Sequence, residues 1–158
     1  MNTTSSQGEL FDIDTPEAPE VTPSALTVKQ PWAWAIMHAG KDVENRSRTT
    51  HYRGRLLIHA GKGWSKEGAQ WLADRGIEVP DRADLPAGCI IGSVDVVGST
   101  QTSTSEWAME GHHHWELANP THVQTTIPCR GSLSPFQPPA GWEQAFTPAS
   151  EAGTGSCA

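Results

Sequence analysis

The segment CIIGSVDVVG, residues 89–98, constrains the fold more than any other stretch of the chain. It is rich in β-branched residues and carries one acid, Asp95. Branched side chains fit a pleated surface better than a helix, so the run reads as a strand. A second strand follows from YRGRLLIHAGK at 52–62, where Leu56, Ile58 and Ala60 alternate with Leu57 and His59. A two-residue period with large side chains in both phases predicts a strand buried largely on both faces.

Around these two runs the elements are short and mixed. Ala25–Lys29 looks like a strand. Pro31 then suits the first turn of a helix and Gly40 its stop, with Trp32, Ala35, Ile36 and Ala39 on one face. Trp64, Gly68, Trp71, Leu72 and Arg75 follow helical spacing up to Gly76, which places helices near 31–39 and 65–75. Trp115–Leu117 and Gly131–Phe136 look like strands separated by NPTHVQTTIPC, and STQTSTS at 99–105 reads as a polar loop. Several strands and two helices without regular alternation argue for an α+β, mainly β architecture. The expectation is a small β-barrel with two flanking helices rather than a doubly wound sheet.

Composition bounds the rest. A chain of 158 residues with 36% hydrophobic residues and seven tryptophans supports one domain with a modest core. Residues 1–23 are acidic and rich in Pro, Ser and Thr, and 147–158 are small and polar. Both are expected to be disordered tails around a domain at 24–146. The start of the chain has no basic, apolar leader pattern, and no apolar run approaches about 18 residues, so the expectation is a soluble, cytoplasmic protein with no membrane partner. Cys89, Cys129 and Cys157 are odd in number and form no CxxC pair, which makes a disulfide framework an unsuitable reading.

The net charge of −7 argues against nucleic acid only until its distribution is read. Five acids lie in 1–23 and one beyond 146, leaving 24–146 at −1. Within it, 29–66 carries eight bases against Asp42 and Glu44, whereas 67–146 carries three against ten acids. Such a polarised domain can attract a phosphate-bearing ligand, unless its charges pair across the molecule and cancel.

The densest charge lies in GKDVENR, residues 40–46. If 42–46 is extended, Asp42, Glu44 and Arg46 share one face and Val43 and Asn45 the other, so Glu44 and Arg46 can pair along the strand. Lys41 then sits at the helix–strand corner. A lysine held there can bind phosphate, or act as base or nucleophile if burial and Arg46 lower its pKa; the plainer alternative is an exposed ion pair. Lys62 follows Gly61 in a turn whose backbone N–H groups can also meet an anion. His59, among apolar neighbours, suits a hydrogen-bonded core position better than a catalytic one. Trp32 and Trp34 point some 200° apart on a helix, which puts Trp32 in the core or a pocket wall. Arg130 is either a phosphate clamp or a structural ion pair. His112–His114 lacks a completing set of ligands at recognisable spacing, and Ser132 and Ser134 lack a nucleophile-elbow context, so neither a metal nor a serine nucleophile is assigned.

Taken together, LTVKQPWAWAI, GKDVENR, YRGRLLIHAGK, LPAGCIIGSVDVVG, WELANP and IPCRGSL resemble the ASCH domain family over nearly all of 24–137. That family's marker is Gly followed by Lys-x-x-Glu-x-Arg, with Lys41, Glu44 and Arg46 here at its charged positions. The family commonly has one residue between Gly and Lys; here Gly40 touches Lys41 and Ala39 stands at the glycine position. The resemblance implies a PUA-like β-barrel whose motif lies in a cleft facing a nucleic acid or nucleotide-like ligand. Relatives include proteins suspected of RNA binding, an amidohydrolase acting on acylated cytidine and a ribonuclease. Two functions follow. One is a module binding RNA or a nucleotide or nucleoside through Trp32, Asn45, Arg46, His59, Lys62 and Arg130. The other is a small hydrolase with Lys41 and Glu44 as catalytic residues. A non-catalytic protein-interaction module is a third, no cofactor is implied in any of them, and fold alone does not choose.

Overall fold

The computed structural model describes residues 23–147, so 1–22 and 148–158 of the two expected tails lie outside the described residues. The chain begins with strand β1 (Ser24–Gln30) and runs into helix α1 (Trp32–His38). Pro31 stands at its N-cap and Gly40, at φ +77°, follows its end. Four residues, Val43–Arg46, form β2. The eleven-residue β3 (Gly54–Trp64) follows, then α2 (Lys66–Asp74). Two long strands, β4 (Cys89–Thr100) and β5 (His113–Pro128), complete the sheet, and a 3-10 turn at Trp142–Phe146 closes the described chain.

The five strands make one sheet in the order β1-β3-β4-β5-β2. β1 runs parallel to β3, and every other neighbouring pair is antiparallel. The architecture is thus α+β and mainly β, with two helices, as the sequence suggests. The expected barrel is not closed by a strand ladder, because β1 and β2 are the two outer strands. One reason is that the free edge of β1 is already in use. The Ala25 N–H donates to Phe136 O at 2.7 Å, the Phe136 N–H returns a bond to Ala25 O at 2.9 Å, and the Arg46 guanidinium on β2 donates to Thr27 O at 2.9 Å. A side chain therefore spans the gap where a ladder would have closed the ring.

Burial follows the two-residue period of β3 on both faces. Leu56, Ile58 and Ala60 join Leu26, Ile36, Val94 and Val96 in the main core, while Leu57 joins Ala25, Ile90 and Trp142 on the other face. At roughly 1.5–3 kcal/mol for each large apolar side chain fully buried, this double burial makes β3 the strand the sheet can least spare. Arg55 on β3 holds the closing 3-10 turn, its guanidinium lying 5.1 Å from the Trp142 ring centre and 4.3 Å from that of Phe146.

The second half of the chain departs from the sequence expectation. Trp115–Leu117 and residues 119–128 of NPTHVQTTIPC belong to the single sixteen-residue strand β5, whereas 131–136 is not a strand and contributes only the bridge at Phe136. Asn119-Pro120 reads as a turn in isolation. In the sheet, Asp95 pairs with Ala118 and Ser93 with Thr121, so the two residues oppose Val94 alone. This bulge absorbs the missing N–H of Pro120 and the φ of +54° at Asn119 without ending the strand.

Helix α2 has a side-chain cap, Ser65 Oγ accepting from the Gly68 N–H at 2.9 Å. Gly68 is buried against α1, and a Cβ there would lie 2.7–3.0 Å from three atoms of the Trp32 indole. Gly68→Ala is therefore expected to lower the thermal midpoint. Overpacking of about 1–3 kcal/mol outweighs the gain of up to about 1 kcal/mol in helix propensity. Thermal unfolding with near-ultraviolet circular dichroism checks this: a raised midpoint with unchanged tryptophan signal would contradict the close approach.

Candidate functional site at the β1–β2 seam

The corner between α1 and β2 is built by the backbone. Ala35 O accepts from the N–H groups of both Ala39, at 2.9 Å, and Lys41, at 3.1 Å. The intervening residue is Gly40, whose left-handed φ any other residue type except Asn or Asp would adopt with strain. Ala39, at the family's usual glycine position, has φ −117°, so the left-handed turn has moved along with the glycine. This double acceptance draws Lys41 back beneath the helix end.

Lys41 is only 4% exposed, and its Nζ donates to Val43 O and to Glu44 Oε1, the latter at 3.0 Å. Glu44, 8% exposed, accepts at its other oxygen from Arg46 Nε at 3.1 Å. The Arg46 Nη2 then reaches Thr27 O. One buried carboxylate thus joins two cations on its own corner and, through Arg46, strand β1. A buried charge is tolerable only when paired and hydrogen-bonded in this way, so the exposed-ion-pair alternative fails for Lys41 and Glu44.

Above this network lies a cleft of about 440 Å³ between β1 and β2, lined among others by Lys29, Trp32, Glu44, Arg46, Ser132 and Leu133. Lys41 is not part of the lining; Glu44 stands at the cavity and Lys41 behind it. Trp32 is the expected pocket wall. Its ring centre lies 5.7 Å from that of Trp71, 6.5 Å from that of Trp107 and 5.5 Å from Lys41 Nζ. Trp34 stacks on His38 instead. Asn45 borders the cleft, but its amide is occupied: it donates to Trp107 O and accepts from the Met109 N–H, both at 2.9 Å. It clasps the 107–109 turn.

His59, Lys62 and Arg130 fall into a neighbouring cavity of about 680 Å³, and Thr27 lines both spaces. His59 is 2% exposed. Its Nε2 lies 2.8 Å from Cys129 O and its Nδ1 3.2 Å from Thr27 Oγ1, which accepts the Ser132 N–H at 3.0 Å. A ring protonated at Nε2 satisfies every group, since a carbonyl can only accept and the Thr27 hydroxyl then donates to Nδ1. Cys129 lines the same cavity. Burial, and then the neighbouring Cys89, push its thiol upward, so it is a neutral thiol at physiological pH rather than a nucleophile. On the helix α1 side, burial and then His122, whose ring centre lies 4.8 Å away, hold His38 below the usual imidazole range.

Among the described residues, the acid–base contacts within 4 Å are Lys41–Glu44 and Arg46–Glu44. Lys29, Arg48, Lys62 and Arg130 therefore keep uncompensated charge at close range, and Arg130 has no ion-pair partner there. Sequence reasoning missed Thr27, whose position mid-strand gives no signal. It also missed Leu133, which is 98% exposed on the cleft rim. Leu133 had a signal: it is the lone large apolar residue in RGSLSP.

A five-stranded mainly β domain with two helices and a buried Lys-x-x-Glu-x-Arg corner at an open seam defines a class of small charged-cleft modules. The family model for the ASCH domain matches residues 26–127, and the chain belongs to that family, within the PUA-like superfamily. The human protein Activating signal cointegrator 1 is 38% identical over 78 residues, covering 46% of this chain and 13% of the human protein. The mouse protein of the same name is 40% identical over the same length, with the same shares. The chain thus matches only a small part of these relatives' length. No described helix is long and apolar enough to cross a membrane.

The network ranks its own variants. Glu44→Ala leaves the Lys41 charge buried without its acid and is expected to cost about 3–5 kcal/mol. Arg46→Ala should cost less, because its side chain is 25% exposed and solvent can replace part of what is lost. Urea unfolding of both variants measures the difference, and equally small losses would mean that the carboxylate is in effect solvated.

Proposed function

We propose that the seam cleft holds RNA or a modified nucleotide, and that the protein is a binding module acting through residues 24–146 in the cytoplasm. In this reading the cleft marks where the family's PUA-like barrel stays open for its ligand. The observation that carries it is the charge of the lining. The single acid of the cleft, Glu44, is already neutralised by Lys41 and Arg46, while Lys29 and the Arg46 Nη1 group remain free in a lining that also holds the Trp32 ring. An aromatic face in the same lining as an unpaired lysine and the free edge of an arginine matches what a base with its phosphate requires, stacking for the one and charge for the other. Leu133 adds an exposed apolar rim that has no internal role.

The hydrolase reading has one observation in its favour: Lys41 is desolvated within hydrogen-bond reach of Glu44. Against it, the Lys41 Nζ is directed to Glu44 and the Val43 carbonyl rather than into the cavity. A general acid or base must reach the proton it moves. An assay over N4-acylated cytidines and RNA separates the readings: binding without turnover supports the module, and turnover lost on Lys41→Ala supports an amidohydrolase or ribonuclease.

Lys29→Ala is expected to weaken binding of a short RNA about threefold to tenfold and to make it less sensitive to salt, with little change in thermal midpoint. Arg46→Lys should also weaken it, because lysine cannot keep a planar fork on Glu44 and Thr27. Fluorescence anisotropy across a salt series measures both, and affinities equal to the wild type would remove the cleft from the binding site.

A further inference from the structure

The cleft is the middle member of three cavities in a row. The Lys62–Arg130 cavity of about 680 Å³ meets the seam cleft of about 440 Å³ at Thr27. On the other side the cleft meets a cavity of about 410 Å³ through Arg46, Ser47 and Leu133. That third space is also lined by Arg48 and by the Trp115 ring, whose indole N–H donates to Arg48 O at 2.8 Å.

Each space carries its own cations: Lys62 and Arg130 in the first, Lys29 and Arg46 in the second, and Arg46 and Arg48 in the third. Across all three linings the one acid is Glu44, whose two oxygens are both taken by cations. A mononucleotide fills one such space and leaves the cations on either side facing only water. A duplex keeps its bases stacked inside and cannot seat them one by one in separate cavities. A chain of unstacked nucleotides, with one negative charge per unit, matches a run of cationic cavities of which the second and third also hold an indole, Trp32 and Trp115.

We infer that the ligand is an extended single strand of RNA that crosses the three cavities in succession, with Thr27 and Arg46 as the dividers between neighbouring nucleotides. This rests on the cleft reading above and narrows it from a nucleotide to an oligonucleotide. The sheet edges explain why the dividers are where they are. Thr27 belongs to β1 and Arg46 to β2, and their hydrogen bond is the crossing point of the seam. The strand passes over that bond rather than into it.

The test compares a ribonucleoside monophosphate, a single-stranded RNA of about six nucleotides and the same sequence as a duplex, each titrated against the full chain over a salt series. The wild type is expected to bind the hexamer at least about tenfold more tightly than the monophosphate and more tightly than the duplex. In Lys62→Ala/Arg130→Ala, and separately in Arg48→Ala, the hexamer-to-monophosphate ratio should shrink several-fold. The salt slope of the double variant should become shallower by about 1–1.5. All three side chains are solvent-exposed, so the variants should keep the wild-type melting temperature. Equal affinity for monophosphate and hexamer, an unchanged ratio in both variants, or preference for the duplex would overturn the inference. Failure of the cleft itself looks different: no ligand of the three binds, or Lys29→Ala changes nothing for any of them.

Discussion

The buried carboxylate of Glu44 is the interaction on which the arrangement depends. It lies between Lys41 and Arg46, and the distances of 3.0 and 3.1 Å leave neither of its oxygens without a cation. Taking Lys41 and Glu44 out of water, and Arg46 in part, is costly, and the cost is offset only because each contact also holds elements together. Lys41 fastens the end of α1 to the start of β2, and Arg46 fastens β2 to β1 across the one gap in the strand order. The same pairing neutralises the single acid of the cleft, so a network that stabilises the fold also leaves the cleft's electrostatics to Lys29 and the rest of Arg46.

The open edge follows from this economy. A ladder between β1 and β2 would have consumed the backbone groups there and filled the space with strand. Instead Phe136 takes the Ala25 end of the β1 edge, Arg46 takes Thr27 O, and the chain at 130–134 passes beside the opening. The result is a concave strip in which backbone, cations and an indole face are all within reach of solvent. Its opposite, the face of β3 bearing Leu57, is sealed by Trp142 and Phe146.

Much of this was legible in the sequence where a local pattern and its tertiary outcome coincide. The double alternation of Leu56–Ala60 gave β3 its two buried faces, and Pro31 with Gly40 bracketed α1. The spacing of Lys41, Glu44 and Arg46 put Glu44 and Arg46 in contact. What could not be read was pairing. Asn119-Pro120 carries a turn signal that a β-bulge absorbs, so β5 ran on through a segment read as separating two strands, and Gly131–Phe136 forms no strand beyond the bridge at Phe136. For the same reason one expected ligand site became several spaces. His59, Lys62 and Arg130 were grouped with Trp32 and Arg46 by their chemistry and the family resemblance, while the fold sets Thr27 between them. Asn45 is bound to residues more than sixty positions away, a use that no local spacing announces.

The proposed seam face is tested most directly by amide chemical-shift mapping during titration with a single-stranded RNA hexamer, which reads the contacted face residue by residue. The largest shifts should fall on residues 27–29 of β1, 44–48 of β2 and 130–134, with the Trp32 indole N–H moving as well. Residues 142–146 and the face of β3 against them should stay still. Saturable shifts centred on the 142–146 face, with the seam unmoved, would contradict it.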